Sequence, residues 1–204
     1  MTLQEILINS SAYLDQSTSI PTGDDFNIRL NFANQRIREW ENSYRFSELK
    51  TKYTIGATLA SIPLPSNFSA IAGNPKELLD SNNNWQEYTQ VDPSYIYDQQ
   101  DPHFSYILND TIIFNNLSSG ATISIDYFRS AATLATLTDV CEVPDGNYVV
   151  NGIIASVLQA RNDDRFPVVE SKTQNLLMGM IGSNQSSGSS STRAPKKNYH
   201  LGRR

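Results

Sequence analysis

Two histidines, one cysteine and two acidic pairs are the groups on which covalent or acid–base chemistry could rest in this chain. His103 follows Pro102 at the start of an apolar run, the place of a strand-flanking or exposed imidazole. His200 lies close to the end of the 204 residues. Cys141 has no neighbouring histidine to make it a thiolate, so it reads as a small buried hydrophobe. A lone cysteine also rules out an internal disulfide. Zinc would need clustered His and Cys ligands, which the spacing does not supply. Asp24-Asp25 and Asp163-Asp164 stand before apolar-periodic stretches, where negative charge suits a helix start. Asp163-Asp164 has no calcium-loop signature behind it. Gly56, Gly73 and Gly120 are isolated, so no loop is built to cradle phosphate. The sequence therefore assigns no catalytic residue, no metal and no cofactor. A carboxylate pair brought together by the fold is the one acid–base arrangement that spacing leaves open.

The elements that would position any site follow from periodicity. Residues 2–14 read as a first helix, with Thr2 and Glu5 in capping-box spacing and Leu3, Ile6, Leu7, Ser10 and Leu14 on one face. A loop through Pro21 leads to the longest periodic stretch, Thr22 to Tyr44. There Phe26, Leu30, Ala33, Ile37, Trp40 and Tyr44 recur at steps of four and three, while Arg29, Arg36, Arg38, Glu39 and Glu41 fall mostly on other faces. About twenty helical residues make a rod of roughly 30 Å, whose stripe needs a cover.

From Lys50 the period shortens. Lys52–Ile55 and Leu59–Ile62 read as short strands around Gly56, with Pro63 and Pro65 ending any ladder. Lys76–Asp80 and Trp85–Gln90 flank the turn-rich Ser81–Asn84 as a hairpin. Asp92-Pro93 starts a short helical turn through Tyr97. Phe104–Leu108 and Thr111–Phe114 surround Asn109-Asp110, a tight-hairpin pair, and Thr122–Phe128 alternates cleanly. After Val143 two helices are expected. One carries paired apolar positions at Val149/Val150, Ile153/Ile154 and Val157/Leu158. The other starts near Pro167, with Val169, Leu176, Met180 and Ile181 on its face and Gly182 placed to end it.

The expected fold is thus α+β: a four-helix bundle formed by both chain ends, with an inserted small antiparallel β module and a flexible C-terminal tail. The divisions are 1–49 for the first helices, 50–130 for the β module, 131–182 for the closing helices and 183–204 for the tail. The expected bundle core comprises Leu7, Phe26, Leu30, Ala33, Ile37, Trp40, Ile153, Val157, Leu176 and Met180.

Charge is informative by position. The chain carries 16 basic and 21 acidic residues, and five of the basic ones lie beyond Ser183 with no acid among them. The first 182 residues therefore hold 11 basic against 21 acidic side chains, a net of −10. An acidic body argues against general DNA binding, which needs clustered cations to neutralise phosphates. No apolar run is long enough for a membrane span, no secretory signal is visible, and a reducing compartment fits the single cysteine. Gly182–Thr192 has the composition of a flexible linker. The segment beyond it carries Arg193, Lys196, Lys197, Arg203 and Arg204, yet keeps Tyr199 and Leu201. A solvated end and a docking peptide are both consistent with that mixture.

The layout resembles the head-to-tail adaptor (neck, or connector) proteins of tailed bacteriophages. The opening MTLQEIL is similar to the family's first helix. Leu30, Asn31, Ala33, Arg36 and Ile37 match its arginine-bearing second helix. Leu64-Pro65-Ser66-Asn67-Phe68 is similar to its leucine-proline-x-aspartate-phenylalanine turn, with Asn67 in place of the acid. Asp92-Pro93-Ser94-Tyr95 looks like its short helix, Pro102–Tyr106 like the start of a strand, and Val143-Pro144-Asp145 like the opening of its closing helices. The likeness spans nearly all of residues 1–182.

The resemblance implies a structural protein of the virion neck, assembled in the host cytoplasm, with no enzymatic activity and no membrane. It implies a homo-oligomeric ring of about twelve copies below the portal protein. The next neck or tail protein would bind beneath it, and DNA would pass through the channel without specific binding. By analogy with adaptors whose C-terminal segments reach the portal, the portal-docking residues are Arg193, Lys196, Lys197, Tyr199, Leu201, Arg203 and Arg204. Another neck or tail-completion ring is the nearest alternative. A carbohydrate-binding module using exposed aromatics of the β block is the alternative from a different class.

Overall fold

A computed structural model describes residues 1–56, 60–79 and 84–187. The chain forms two compact units. One comprises Met1, Leu3–Ala33 and the chain from Val143; the other comprises Thr2 and Asn34–Glu142.

The first unit is helical. It holds α1 (Leu3–Leu14), the first part of α2 (Asp24–Ser43), α3 (Gly146–Ala160) and α4 (Phe166–Ser187). Helix α3 packs against both α1 and α4. Its apolar positions are nearly continuous, and Tyr148, Val149, Val150, Ile153, Ile154, Val157 and Leu158 are all buried. Asp145 caps it by accepting from the Asn147 N–H at 3.0 Å. At its first residue a side chain would not fit, because a Cβ on Gly146 would sit 2.9 Å from the Met1 Cβ. Helix α3 ends in a paired-bond motif. Asn162 takes a left-handed φ of 52°. The Asn162 N–H donates to Gln159 O and the Asp163 N–H to Leu158 O, satisfying carbonyls the helix leaves open. Helix α4 then runs past Gly179 and Gly182 to Ser187. The expected stop at Gly182 is therefore a correction: glycine lowers helix propensity by only about 1 kcal/mol, which cannot terminate a helix unaided.

The second unit is rich in strands and larger than expected. Strands β1 (Lys50–Gly56), β9 (Thr122–Arg129), β4 (Lys76–Leu78) and β5 (Trp85–Glu87) form one sheet in that order. Strand β3 (Phe68–Ile71) also pairs with β9. β9 organises this sheet. One edge pairs with all of β1; the other is shared by β4 at Thr122–Ser124 and β3 at Tyr127–Arg129.

The second sheet runs β2 (Ser61–Pro63), β8 (Thr111–Phe114), β7 (Phe104–Leu108) and β6 (Thr89–Gln90). β6 and β7 are parallel, the other pairs antiparallel. Ile62, Ile112 and Phe114 of this sheet share one core with Ile123, Ile125 and Tyr127 of the first. The unit is thus a small sandwich. The β7–β8 hairpin turns on Asn109 and Asp110, both at positive φ (48° and 56°), as a twist-matched two-residue loop requires.

The expected architecture needs correction here. The overall class is α+β with helices at both ends, but the middle is a sizeable two-sheet region rather than a small antiparallel module on a four-helix bundle. Helix α2 is also divided, its residues from Asn34 onward belonging with the strands. Its second half is tied to the chain after β9: Asn34 donates from Nδ2 to Leu134 O (2.9 Å) and accepts from the Leu134 N–H (2.8 Å). Glu41 accepts from the Ala131 N–H. Trp40 stacks on Phe46 with ring centroids 4.7 Å apart. Local periodicity identified the apolar face of α2 but carried no information on which element covers each part of it.

Candidate functional site

The residues with chemical potential are placed apart. His103 immediately precedes β7, its N–H held by Asp101 Oδ1 at 2.8 Å and its ring edge-on to Tyr88. Cys141 is buried. Asp24 and Asp25 occupy the first turn of α2. Asp163 accepts from the Arg165 N–H and guanidinium between α3 and α4. Those bonds, foremost the side-chain one to Arg165, hold the Asp163 carboxyl down at about 2. Among the described residues no three His, Cys, Asp or Glu side chains stand close enough to hold a metal ion. Among them, too, no helix is long and apolar enough to cross a membrane.

Of the expected core positions, Leu7, Ala33, Ile153, Val157 and Met180 are buried in the helical unit, where Phe26, Leu30 and Leu176 are half-buried. Ile37 and Trp40 are buried in the strand-rich unit. The tail residues Arg193, Lys196, Lys197, Tyr199, Leu201, Arg203 and Arg204 lie outside the described residues.

Two arginines expected on outer faces are buried instead. Arg29 is 1 % exposed, bonded to Ser11 Oγ at 2.9 Å and paired with Asp15. Arg161 of the helical unit reaches the other Asp15 oxygen at 3.6 Å. Arg36 is 7 % exposed and bonds Glu39 at 2.9 Å. The reason is partner supply: an ion pair lets a guanidinium sit where periodicity alone would exclude it. Beside the Arg29 pair, Asp25, Ile28, Phe32, Val157 and Ala160 line a cleft of about 140 Å³.

A different surface is legible on the sandwich. Paired residues on neighbouring strands point to one face. Ile62, Ile112 and Ile107 are in register and face the core. The alternate positions therefore form the outer face of the second sheet: Phe104, Tyr106 and Leu108 of β7, Thr111 and Ile113 of β8, Ser61 and Pro63 of β2, and Thr89 of β6. Phe104 is buried, Tyr106 and Ile113 are half-buried, and Leu108 is 48 % exposed. Against β7 lies the 3-10 segment Pro93–Asp98. It is capped by Asp92, which accepts from the Ser94 N–H at 2.8 Å, and it carries the exposed Tyr95 and Tyr97. Hydrogen bonds from Ser94 side chain and backbone keep the Asp92 carboxyl below its ordinary value, and hence charged. The signal available in the sequence was the apolar alternate set Phe104, Tyr106 and Leu108.

No curated protein matches the chain at a significant level. A family model does match, described as SU10 adaptor protein and spanning residues 1–193. The family is one of phage head-to-tail adaptors, structural proteins of the virion neck and not an enzyme class. By that match over nearly its whole length, the chain belongs to the SU10 adaptor protein family.

Proposed function

We propose that copies of this chain form a ring below the portal protein, extend the channel for DNA, and hold the next neck or tail component to the capsid. The observation that carries this reading is the family match over residues 1–193. Two features of the chain support it. A closed ring needs two different complementary flanks on each copy, and the protein offers two bodies of different character. The strand-rich unit, with 7 basic and 13 acidic residues over Asn34–Glu142, repels phosphate instead of gripping it, as a passage for sliding DNA requires. Assembly in the host cytoplasm and residence in the virion neck follow from the same role. The test is particle imaging of the purified protein with and without portal. Symmetric rings of about twelve copies stacked on the portal are expected. A protein that stays monomeric and unbound in the presence of portal would overturn the proposal.

A further inference from the structure

The outer face of the second sheet carries an apolar strip of Tyr106, Leu108 and Ile113 beside the polar Ser61 and Thr111, and the segments next to it are acidic. From Glu77 to Phe128 the sequence holds eight acidic residues and no lysine or arginine. Four of these acids lie in the segments that adjoin β7. Asp92 caps and Asp98 ends the 3-10 segment packed on β7, Asp101 precedes β7, and Asp110 lies in the β7–β8 turn. All four are exposed. A water-facing sheet surface ordinarily alternates to polar residues, so the strip of Tyr106, Leu108 and Ile113 calls for a cover.

The chain itself contains a segment of matching chemistry. Its last 17 residues follow Ser187, and their charged side chains are Arg193, Lys196, Lys197, Arg203 and Arg204, with Tyr199 and Leu201 between them. Fully extended, 17 residues reach about 55–60 Å, enough to cross to a neighbouring molecule. We infer that the C-terminal segment of one copy docks on the outer face of the second sheet of another copy. Tyr199 and Leu201 cover Tyr106, Leu108 and Ile113, and the flanking cations face Asp92, Asp98, Asp101 and Asp110. Tyr95 and Tyr97 offer ring faces to the same cations. Repeated from copy to copy, such a contact is heterologous, the type that closes rings. The inference rests on the reading that copies of the chain assemble together.

Carbodiimide coupling of an equal mixture of isotope-labelled and unlabelled full-length protein, followed by mass spectrometry, tests it. Mixed-isotope links from Lys196 or Lys197 to Asp92, Asp98, Asp101 or Asp110 are expected. Charge attraction alone would survive loss of the apolar contact, so two substitutions that leave charge unchanged are included. Leu108→Ser on the sheet and Leu201→Ser on the segment should each cut the mixed links at least tenfold. Links found only within one isotope, or unchanged in both variants, or made to portal alone when portal is added, would overturn the inference. Imaging the same samples on portal separates the two levels. Rings without mixed links sink the docking alone, whereas no rings with any variant sinks the adaptor reading.

Discussion

The helical core and the sandwich satisfy buried charge in different ways. The helical unit encloses a cation, Arg29, and supplies it with an acid, Asp15, and a hydroxyl, Ser11. The strand-rich unit pairs its own buried cation, Arg36 of α2, with Glu39, but its sandwich also encloses a carboxylate, Glu77, 2 % exposed on β4. Its bonds come from neutral donors: the Tyr88 hydroxyl at 2.5 Å and the Ser118 N–H at 3.3 Å. Burial first, then the hydrogen bond to Glu77 and its charge, push the Tyr88 phenol well above its ordinary value. The sheet's own cations are paired elsewhere: Lys76 with Glu87, Lys50 with Asp126 and Arg129 with Glu142. Glu77 is therefore satisfied by dipoles, whereas in the helical unit Arg29 and Arg161 both reach Asp15.

The largest effect should come from breaking the ion pair from its acid side. Asp15→Ala leaves Arg29 buried with Ser11 as a neutral partner. The full cost of orphaning a buried charge is about 3–5 kcal/mol, and the lower end applies because Asp15 itself is 36 % exposed. Arg29→Met on the same background should recover part of that loss, since the uncompensated charge goes with it. Urea denaturation of the two single variants and the double measures the asymmetry. A double variant as unstable as the sum of the singles would show that the pair is not what holds α1 to α2.

Removing the phenol in the other unit should cost less. Tyr88→Phe deprives Glu77 of its shortest bond but leaves the Ser118 N–H, a loss of about 1–3 kcal/mol. A pH signature distinguishes this from packing. The folded pKa of Tyr88 is raised, so its contribution is whole below the unfolded phenol value near 10 and is lost as pH rises beyond it. Unfolding free energy measured across pH 9 to about 11 should therefore fall more steeply in the native protein than in Tyr88→Phe. Parallel curves would mean the phenol is not held protonated by its surroundings.

Local features of this fold were legible in sequence, and the pairings between distant segments were not. Asn109-Asp110 announced its hairpin because both residues tolerate the positive φ the turn requires. Asp92-Pro93 announced the 3-10 segment through its cap. The paired apolar positions of α3 announced a buried helix. By contrast, β1 and β9 pair across more than sixty residues of chain, and the parallel contact of β6 with β7 has no local signature. The division of α2 between two units was hidden for the same reason: a helical period reports which residues share a face, not what covers them. The burial of Arg29 was hidden because its partners, Ser11 and Asp15, lie in a different stretch of the chain. The outer face of the second sheet sits between these cases. Phe104, Tyr106 and Leu108 were visible as apolar, but only the register with Ile113 showed that they turn away from the core.

The smallest effect concerns an exposed pair that serves as the reference for both buried ones. Asp163 binds the Arg165 guanidinium at 2.7 Å and accepts from the Arg165 N–H just before α4, with 56 % of the Arg165 side chain and 26 % of its own exposed. Its carboxyl is held at about 2, below the ordinary value of 3.8. A depressed folded pKa means the contribution is present above about 4 and disappears as pH falls through 2. An NMR titration of the Asp163 side chain should show its midpoint near 2, and Arg165→Gln should return it towards 3.8 by removing the leading cause. Global stability at neutral pH should change little in that variant, as for other surface ion pairs. A larger loss would mean that the corner between α3 and α4 depends on its surface charges as much as the interior depends on Arg29, and the division of labour between buried and exposed ions argued for the helical unit would fail.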